Sequence, residues 1–377
     1  MSGLTLVNAS VVSAPGADPV PGSVAIRDGL IADRPDPDAT VVDVGGAVVT
    51  AGFWNCHVHL TEPTWSGAGH RPAEHLQAGL DDLFGRRGFT SVVDLASRSS
   101  ETLALRRRIE DGELRGPRIR TAAEAIRPFR GIPFYVRDEV PWYLRWAVPT
   151  PATARGGRRV AERQLAKGAE VIKLFTGSYV APTRVRPMRL DVARAAVAVA
   201  HAHDALVFAH TSDRTGLAVA LEAGVDVVAH VPDTTEGTHD LLRKAAAAGT
   251  WLVPTLDMFA QTVTRDAAYL DPIDEALRVF LDAGGRLLFG TDVGYLRDHD
   301  THGELAALAR CGLGVAEVLA MLTTDPAEAF GTGSGTVAVG EPADLVVLDR
   351  LDEVTDLARV RATIRRGRVT WGQPATS

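Results

Sequence analysis

The chain has 377 residues, of which 46% are hydrophobic and 23% are charged, and its formal net charge is −7. This is the composition of a folded globular protein, and the negative charge argues against a surface for nucleic acid. Only Cys56 and Cys311 are present, so a disulfide framework is not expected and a reducing compartment is the default. The sequence shows neither a secretory signal pattern nor the ~18 consecutive apolar residues of a membrane span. We therefore expect a cytoplasmic protein that binds no nucleic acid or membrane; the composition leaves a homo-oligomer open.

Residues 1–50 alternate short apolar runs with turn residues, which is typical of a small β-unit. Two of these runs flank Asp28-Gly29, a pair that favours a hairpin. The same alternation of short apolar runs and turn residues returns after Phe330, over residues 331–377. Neither terminal segment is long enough to bury its own apolar face, so we expect both to combine into one small β-sandwich.

Residues 51–330 alternate strand-like runs with helical stretches, and several predicted helices end in glycine, as at Gly168 and Gly224. Repeated strand–helix units predict a parallel sheet of the α/β class, and eight units predict a closed (β/α)₈ TIM barrel. The eight strand candidates are Phe53–His59, Ser91–Asp94, Arg118–Ala122, Val171–Phe175, Leu206–Ala209, Val227–Ala229, Trp251–Pro254 and Leu287–Thr291. The long segment 123–150 after the third strand is expected to be an active-site loop.

The first barrel strand carries two histidines, His57 and His59, one residue apart. Because residues i and i+2 of a strand point to the same side, both imidazoles should face one point in space. Cys56, which directly precedes the pair, should then face the opposite side, towards the helices. Alone, the pair fits two packed or solvated histidines as well as it fits two metal ligands.

Other chemically active residues lie at or near the carboxyl ends of later strands, where a barrel of this type places its chemistry. Strand four carries Lys173, strands five and six are followed by His210 and His230, and strand eight ends at Asp292. Imidazole and carboxylate groups suit zinc and similar ions. We therefore predict that these residues converge with the first histidine pair in a metal site.

The same motifs resemble the amidohydrolase superfamily of metal-dependent hydrolases, along essentially the whole chain. The resemblance is carried by Gly52-Phe53 before the first histidine pair, by the histidines ending strands five and six, by Gly290-Thr291-Asp292, and by the tail segments 322–327 and 335–348. Within the superfamily, Ile172-Lys173 followed by Thr176-Gly177 is most similar to the imidazolonepropionase-related and prolidase-like branch. One departure is Asn55, where the superfamily often has aspartate; that position does not hold metal.

The resemblance implies two divalent ions, with Zn²⁺ as the first expectation and Mn²⁺, Co²⁺ or Fe²⁺ as alternatives. It also implies that CO₂ has added to Lys173, giving an anionic carbamate that bridges both ions. The implied ligands are His57, His59 and Asp292 for the more buried ion, and His210 and His230 for the other.

Such a centre predicts hydrolysis of a small-molecule substrate. Two ions that share a water molecule lower its pKa towards neutrality, and the resulting hydroxide attacks a carbonyl. Asp292 is the expected general base and acid, taking the proton and passing it to the leaving group. The predicted reaction is cleavage of an amide or another C–N bond, cyclic or linear. Hydrolysis of a lactone, ester or phosphotriester remains open, as does cyclisation, ring opening or decarboxylation in a pathway.

Four residues are candidates for substrate contact: His302, Tyr179, Arg127 and Arg130. His302 follows strand eight, although it fits a local bond at a helix start equally well. Tyr179 follows strand four and fits an ordinary surface tyrosine too. The two arginines follow strand three and would bind an acidic group of the substrate.

Overall fold

The computed structural model of the protein describes residues 3–137, 140–296 and 298–375. Its strands are β1 Leu4–Val11, β2 Val20–Arg27, β3 Leu30–Ala32, β4 Thr40–Asp43, β5 Val48–Ala51, β6 Phe53–Val58, β7 Phe89–Asp94, β8 Arg118–Thr121, β9 Val171–Phe175, β10 Gly177–Ala181, β11 Arg184–Pro187, β12 Leu206–His210, β13 Val227–Ala229, β14 Trp251–Val253, β15 Leu345–Leu348, β16 Val360–Arg365 and β17 Arg368–Gly372. Its helices are α1 Ala73–Leu83, α2 Ser99–Glu110, α3 Phe134–Arg137, α4 Ala154–Lys167, α5 Leu190–His201, α6 Arg214–Ala223, α7 His239–Ala247, α8 Leu256–Thr262, α9 Ala267–Asp282, α10 His302–Arg310, α11 Val315–Leu322 and α12 Thr324–Ala329.

The strands from the two ends of the chain form one hydrogen-bonded unit, in the order β17-β16-β15-β5-β1-β2-β3. The junction between the ends is the antiparallel pair of β15 and β5, with Leu345 opposite Ala51. One edge of β1 pairs with β2, and its other edge pairs in parallel with β4 and then β5. Apolar side chains from both ends, including Leu6, Ile26 and Val347, share one core. The sandwich built by both termini is thus confirmed.

Seven parallel strands of the barrel form two ladders, β6-β7-β8 and β9-β12-β13-β14. The ladders meet where the Glu170 amide donates to the Thr121 carbonyl and where Ile126 pairs with Leu174. On the far side, residues 286–293 run between β14 and β6. The Leu288 amide donates to Leu252, while the Cys56 amide donates to Phe289. The barrel therefore closes as predicted. We call its eight wall segments staves: seven are the parallel strands, and the eighth is the segment 286–293.

The eighth stave is less regular than expected, because it pairs through isolated bridges rather than a continuous ladder. Gly290 lies in its middle, where a Cβ atom would stand 2.4 Å from Val253 Cγ1 and 2.8 Å from His57 Cβ. Only glycine allows this close approach, so the stave bends tightly around the first strand at the level of the histidines.

Cys56 corrects one expectation, because it packs inside the barrel with Val171 and Phe208 rather than against the helices. The cause is a bulge: two residues of β6 lie between Asn55 and Val58, whereas only one residue of β7 lies between their partners. The extra residue interrupts the strict alternation of side chains.

The helices pack around the barrel, and glycines end two of them as predicted, with φ values of 106° at Gly168 and 81° at Gly224. In the predicted loop 123–150, the described residues include α3 and a 3₁₀ helix over Trp142–Ala147. No helix in the described part of the chain is long and apolar enough to cross a bilayer.

Candidate functional site

Two histidines and an aspartate meet at the carboxyl end of the first and last staves. The Nε2 atoms of His57 and His59 lie 3.3 Å and 2.9 Å from Asp292 Oδ1. Each of the three side chains offers a ligand atom within 4.8 Å of the others, and His57 and Asp292 are buried. This is a donor set of the type that holds a divalent ion.

The donor atoms of this group lack ordinary partners. Neither ring nitrogen of His57 makes a hydrogen bond, and Asp292 Oδ1 makes none. Burial, and next the positive charge of Lys173, hold the pKa of His57 well below its usual range. Its imidazole is therefore neutral at pH 7, the form that binds metal, and its unsatisfied nitrogens fit a bound ion.

Backbone pairing places Asp292 beside the histidines. Its amide donates to the His57 carbonyl at 2.8 Å, and the His59 amide donates to Val293 at 2.7 Å. Asp292 has a φ of 60°, in the left-handed region that costs non-glycine residues of order 1–3 kcal/mol. This strain marks a position where the surrounding structure holds a side chain for a purpose other than stability.

Asn55, the departure from the superfamily pattern, ties the first and last staves together. Its amide nitrogen donates to Thr291 Oγ1 at 2.8 Å, and its oxygen accepts from the amides of His57 at 3.2 Å and Thr291 at 3.3 Å. Asn55 is fully buried. Asn55 therefore holds the backbone of His57 in place, and it also holds Thr291, which directly precedes Asp292.

Lys173 lies on β9 with 1% of its surface exposed, and its Nζ makes no hydrogen bond. Burial lowers the pKa of Lys173 to about 7, against an opposing effect of Asp292 and with a further lowering by Arg127. A sizeable fraction of the amine is therefore neutral near pH 7. Only this neutral form can add CO₂.

The hydrogen bonds of His230 determine which of its nitrogens faces the site. Its Nδ1 lies 2.6 Å from Thr255 Oγ1, and that hydroxyl donates its only hydrogen to the Pro254 carbonyl at 2.8 Å. Thr255 must therefore accept from Nδ1–H, which leaves Nε2 with a free lone pair. A hydrogen bond on the far nitrogen is the usual way in which proteins orient a metal-binding histidine.

The remaining histidine, His210, ends β12 and stacks on Phe175, with 4.5 Å between ring centroids. Its Nε2 lies 3.0 Å from Ser212 Oγ. His230 joins the two halves of the site, since its ring lies 4.8 Å from that of His210 and 4.5 Å from that of His57. The structure thus brings all six predicted ligands to one end of the barrel.

A cavity of about 1100 Å³ opens above these residues. Its walls come from the loops after several strands and include aromatic rings. Tyr135 of α3 and Tyr295, which follows the last stave, meet with 5.7 Å between ring centroids. The cavity is large enough for a small molecule with an apolar side chain.

Arg127 lines one wall of this cavity with 9% of its surface exposed. Its Nη1 donates to the Ala125 carbonyl, its Nε has no partner, and its guanidinium lies 5.1 Å from the centroid of the Phe175 ring. Burial lowers the pKa of Arg127 to about 10, so the group is still a cation at pH 7. Among the described residues, no carboxylate forms an ion pair with it.

Tyr179 lines another wall, where its hydroxyl lies 3.1 Å and 3.0 Å from the two carboxylate oxygens of Asp233. The hydroxyl of Tyr269 donates to the same carboxylate at 3.1 Å. Tyr179 is thus part of an ordered polar group rather than a free surface tyrosine.

Two sequence candidates lie outside the cavity walls. His302 is exposed at the first turn of α10, where its amide bonds to Asp300 at 2.9 Å. Arg130 is exposed and covers the ring of Phe129, and its φ of 56° turns the chain outward. Sequence proximity to a strand end therefore did not suffice to place either side chain in the cavity wall.

Several residues around the site were not predicted. Thr255 directly follows strand seven, so its place at a strand end was an available signal. Asn55 shares a strand with the histidine pair, which was a similar signal. Asp233 and Tyr269 carried none, because they are distant in the sequence and meet only in the folded chain.

Comparison with known proteins agrees with this geometry. The family model described as "Amidohydrolase family" matches residues 48–370. An ochratoxinase from Aspergillus niger is 25% identical over 232 residues, which cover 52% of this chain and 46% of the relative. The match thus spans about half the length of that curated relative.

Solved structures extend the likeness over nearly the whole chain. A prolidase in complex with N-methylphosphonate-L-proline is 26% identical, with a TM-score of 0.80 over 99% of this chain and 100% of the other. The A. niger ochratoxinase structure is 20% identical, with a TM-score of 0.76 over 99% and 96% of the two chains. The barrel and the family match define a hydrolase of the TIM-barrel type. The chain belongs to the amidohydrolase family, which confirms the resemblance drawn from its sequence.

Proposed function

We propose that the protein is a binuclear metal-dependent hydrolase that cleaves an amide bond next to a carboxylate-bearing residue of its substrate. The observation that carries this proposal is the meeting of the six metal-type side chains beneath a cavity that also holds an unpaired arginine. The family supports C–N bond hydrolysis, and the arginine supports an acidic substrate.

The residues fit the two ions expected of the family. His57, His59 and Asp292 would hold one, because each offers a ligand atom within 4.8 Å of the others. His210 and His230, whose ring centroids lie 4.8 Å apart, would hold the other. Divalent ions such as Zn²⁺ supply a water molecule of lowered pKa and polarise the scissile carbonyl. The neutral amine of Lys173 would form an N–C bond to CO₂ and release one proton. The resulting carbamate would supply anionic oxygens to both ions.

Asp292 would accept a proton and then donate it during hydrolysis. An ionised carboxylate has two oxygens, so one can serve the ligand set while the other accepts a proton from the attacking water. The same proton then passes to the amide nitrogen as the C–N bond breaks, which yields a carboxylic acid and an amine. The buried position of Asp292 keeps bulk water from competing for this proton.

Arg127 would bind the substrate carboxylate. A guanidinium can donate two parallel hydrogen bonds to a carboxylate, and Arg127 is already desolvated and held over Phe175. The prolidase structure supports this substrate class, since its ligand is a phosphonate derivative of L-proline.

A substrate panel tests the proposal. Protein loaded with zinc or manganese would be assayed on dipeptides, N-acyl amino acids, their carboxamide analogues, aryl esters and lactones. We expect hydrolysis of the carboxylate-bearing amides, loss of activity in Lys173→Ala, and partial rescue of that variant by short carboxylic acids. Turnover of esters or lactones alone would contradict the proposal.

A further inference from the structure

We propose that Asp233, held by Tyr179 and Tyr269, binds the ammonium group of the substrate, so that the enzyme prefers amides whose acyl part carries a free α-amino group. This inference rests on the proposed amide hydrolysis and adds the chemistry of the opposite end of the substrate.

Asp233 is a half-buried carboxylate in the cavity wall. Its bonds within the described chain come from neutral donors, namely the hydroxyls of Tyr179 and Tyr269 and the backbone amides of residues 233 and 234. Within the same ranges, no lysine, arginine or histidine lies at ion-pair distance from it. Burial raises the pKa of Asp233, and the tyrosine bonds act in the opposite direction. A cation entering the cavity would compensate the charge that these neutral donors leave in place.

Arg127 and Asp233, two charged groups of the cavity wall that form no ion pair within the described residues, lie on different sides of its mouth. Arg127 follows β8 and Asp233 follows β13, and the order of the barrel places β9 and β12 between those strands. His210, at the end of β12, therefore lies between them. A substrate that is negative at one end and positive at the other can span the cavity with its amide over the metal-type residues.

The spacing of charges in a dipeptide suits this arrangement. Its α-carboxylate and α-ammonium flank the single amide bond, so an anchor at each end brings that bond to the middle. Three tyrosine–carboxylate contacts orient Asp233. An acyl group with no amine would leave the carboxylate without a cation.

A purely structural role for this cluster is the competing explanation. The hydrogen bonds join the hairpin of β10 and β11, the loop after β13, and α9. Under that explanation, loss of Asp233 would impair every substrate equally. The test must therefore measure the ratio between two substrates rather than activity alone.

The experiment compares alanyl-phenylalanine with isobutyryl-phenylalanine, in which a methyl group replaces the ammonium group at nearly constant shape. For the metal-loaded wild type, we expect kcat/KM to be about 10-fold or more higher for the dipeptide, which is the size of one charge-assisted contact. In Asp233→Asn this ratio should fall to about 1, and in Tyr269→Phe it should fall by a smaller factor.

Asp213→Asn is the matched control, because it removes a charge from the same cavity wall while asparagine still caps α6. Its ratio should stay within about twofold of the wild-type ratio, since Asp213 forms none of the hydrogen bonds described for the cluster and only its charge acts on Tyr179. A wild-type ratio of 1 or below would overturn the inference, even if Asp233→Asn failed to fold. So would an unchanged ratio in a folded Asp233→Asn. If neither amide is hydrolysed by the loaded protein, the proposed function itself has failed.

Discussion

The two ends of the barrel differ in how their charged side chains are partnered. At the amino-terminal end, Glu170 receives three arginines, with contacts of 2.8 Å from Arg106, 3.3 Å from Arg118 and 3.1 Å from Arg120. The guanidinium of Arg120 also lies 4.8 Å from the ring centroid of Phe330. The charges of these arginines are paired within the protein, although Arg120 Nε makes no hydrogen bond.

At the carboxyl-terminal end, the buried polar groups lack such partners. Lys173 Nζ, both ring nitrogens of His57 and the Nε of Arg127 make no hydrogen bond. Unsatisfied buried groups are costly, so they persist where a ligand supplies the missing partner. We therefore expect the amino-terminal end of the barrel to serve stability and the carboxyl-terminal end to serve binding and catalysis. Substitutions at the two ends should therefore have opposite signatures.

The largest expected effect is at Asp292. Replacing it with asparagine keeps the shape and tolerates the left-handed backbone, but it removes the proton acceptor. We expect kcat to fall by about 10²–10⁴-fold, with little change in KM. The melting temperature of the apo protein should be unchanged or higher. Steady-state kinetics and calorimetry measure both, and a variant that keeps wild-type kcat would contradict the role of Asp292.

Arg127 should give the next largest effect on activity. Arg127→Met keeps the apolar stem over Phe175 and removes the unpaired cation. We expect kcat/KM for carboxylate-bearing amides to fall by about 100-fold, since a charge-assisted bidentate contact is lost. The carboxamide analogue serves as the control and should lose far less. Equal losses of kcat/KM on the two substrates would show that Arg127 does not bind the substrate carboxylate.

At the opposite end, Glu170→Gln should lower stability rather than activity. The change leaves three arginines without their shared carboxylate, which should reduce the free energy of unfolding by about 1–3 kcal/mol. Because the site lies at the other end of the barrel, kcat at 25 °C should stay near the wild-type value. Denaturant unfolding and steady-state kinetics measure these two outcomes. A loss of kcat with unchanged stability would contradict the expected role of Glu170 in stability.

His299 should produce a smaller, pH-dependent effect on stability. Its Nδ1 lies 2.7 Å from Asp82 and its Nε2 lies 2.8 Å from Glu62, so both nitrogens donate when the ring is protonated. Burial lowers the pKa of His299, but the bonds to the two carboxylates outweigh it and raise the pKa overall. The stabilisation is thus complete below the ordinary histidine value and is lost as pH rises through the raised pKa.

His299→Gln keeps hydrogen-bonding capacity without this titration. We expect the stability difference between wild type and variant to shrink as pH increases above about 6.5. Thermal unfolding at a series of pH values measures the difference. A difference that grows with pH would have the wrong sign for this assignment.

Local patterns in the sequence were sufficient to predict much of the fold. The bounds of β9 and β13 were predicted correctly because continuous buried runs with flanking polar or glycine residues mark both ends. The last stave was predicted as a regular strand and is not one, since the packing of Gly290 against His57 is a tertiary effect. The side chain of Cys56 was assigned to the wrong face, because a bulge cannot be recognised from alternation alone.

The candidate ligands were predictable for a related reason. Parallel strands of a barrel end at one rim, so residues at strand ends meet without further information. Substrate-contact residues lie in loops, where Arg127 turns into the cavity and Arg130, three residues later, turns out of it. The partnership of Asp233 with Tyr269 depends on the packing of α9 against the loop after β13, and no local pattern encodes that contact.

The most direct test of the account is the metal content of the purified protein, measured by mass spectrometry together with amide hydrolysis. We predict close to two divalent ions per chain in the wild type after growth with zinc or manganese. Lys173→Ala should retain fewer, and chelation should remove ions and activity together. A protein that stays free of metal after reconstitution, or that hydrolyses amides equally well when stripped, would contradict the binuclear site.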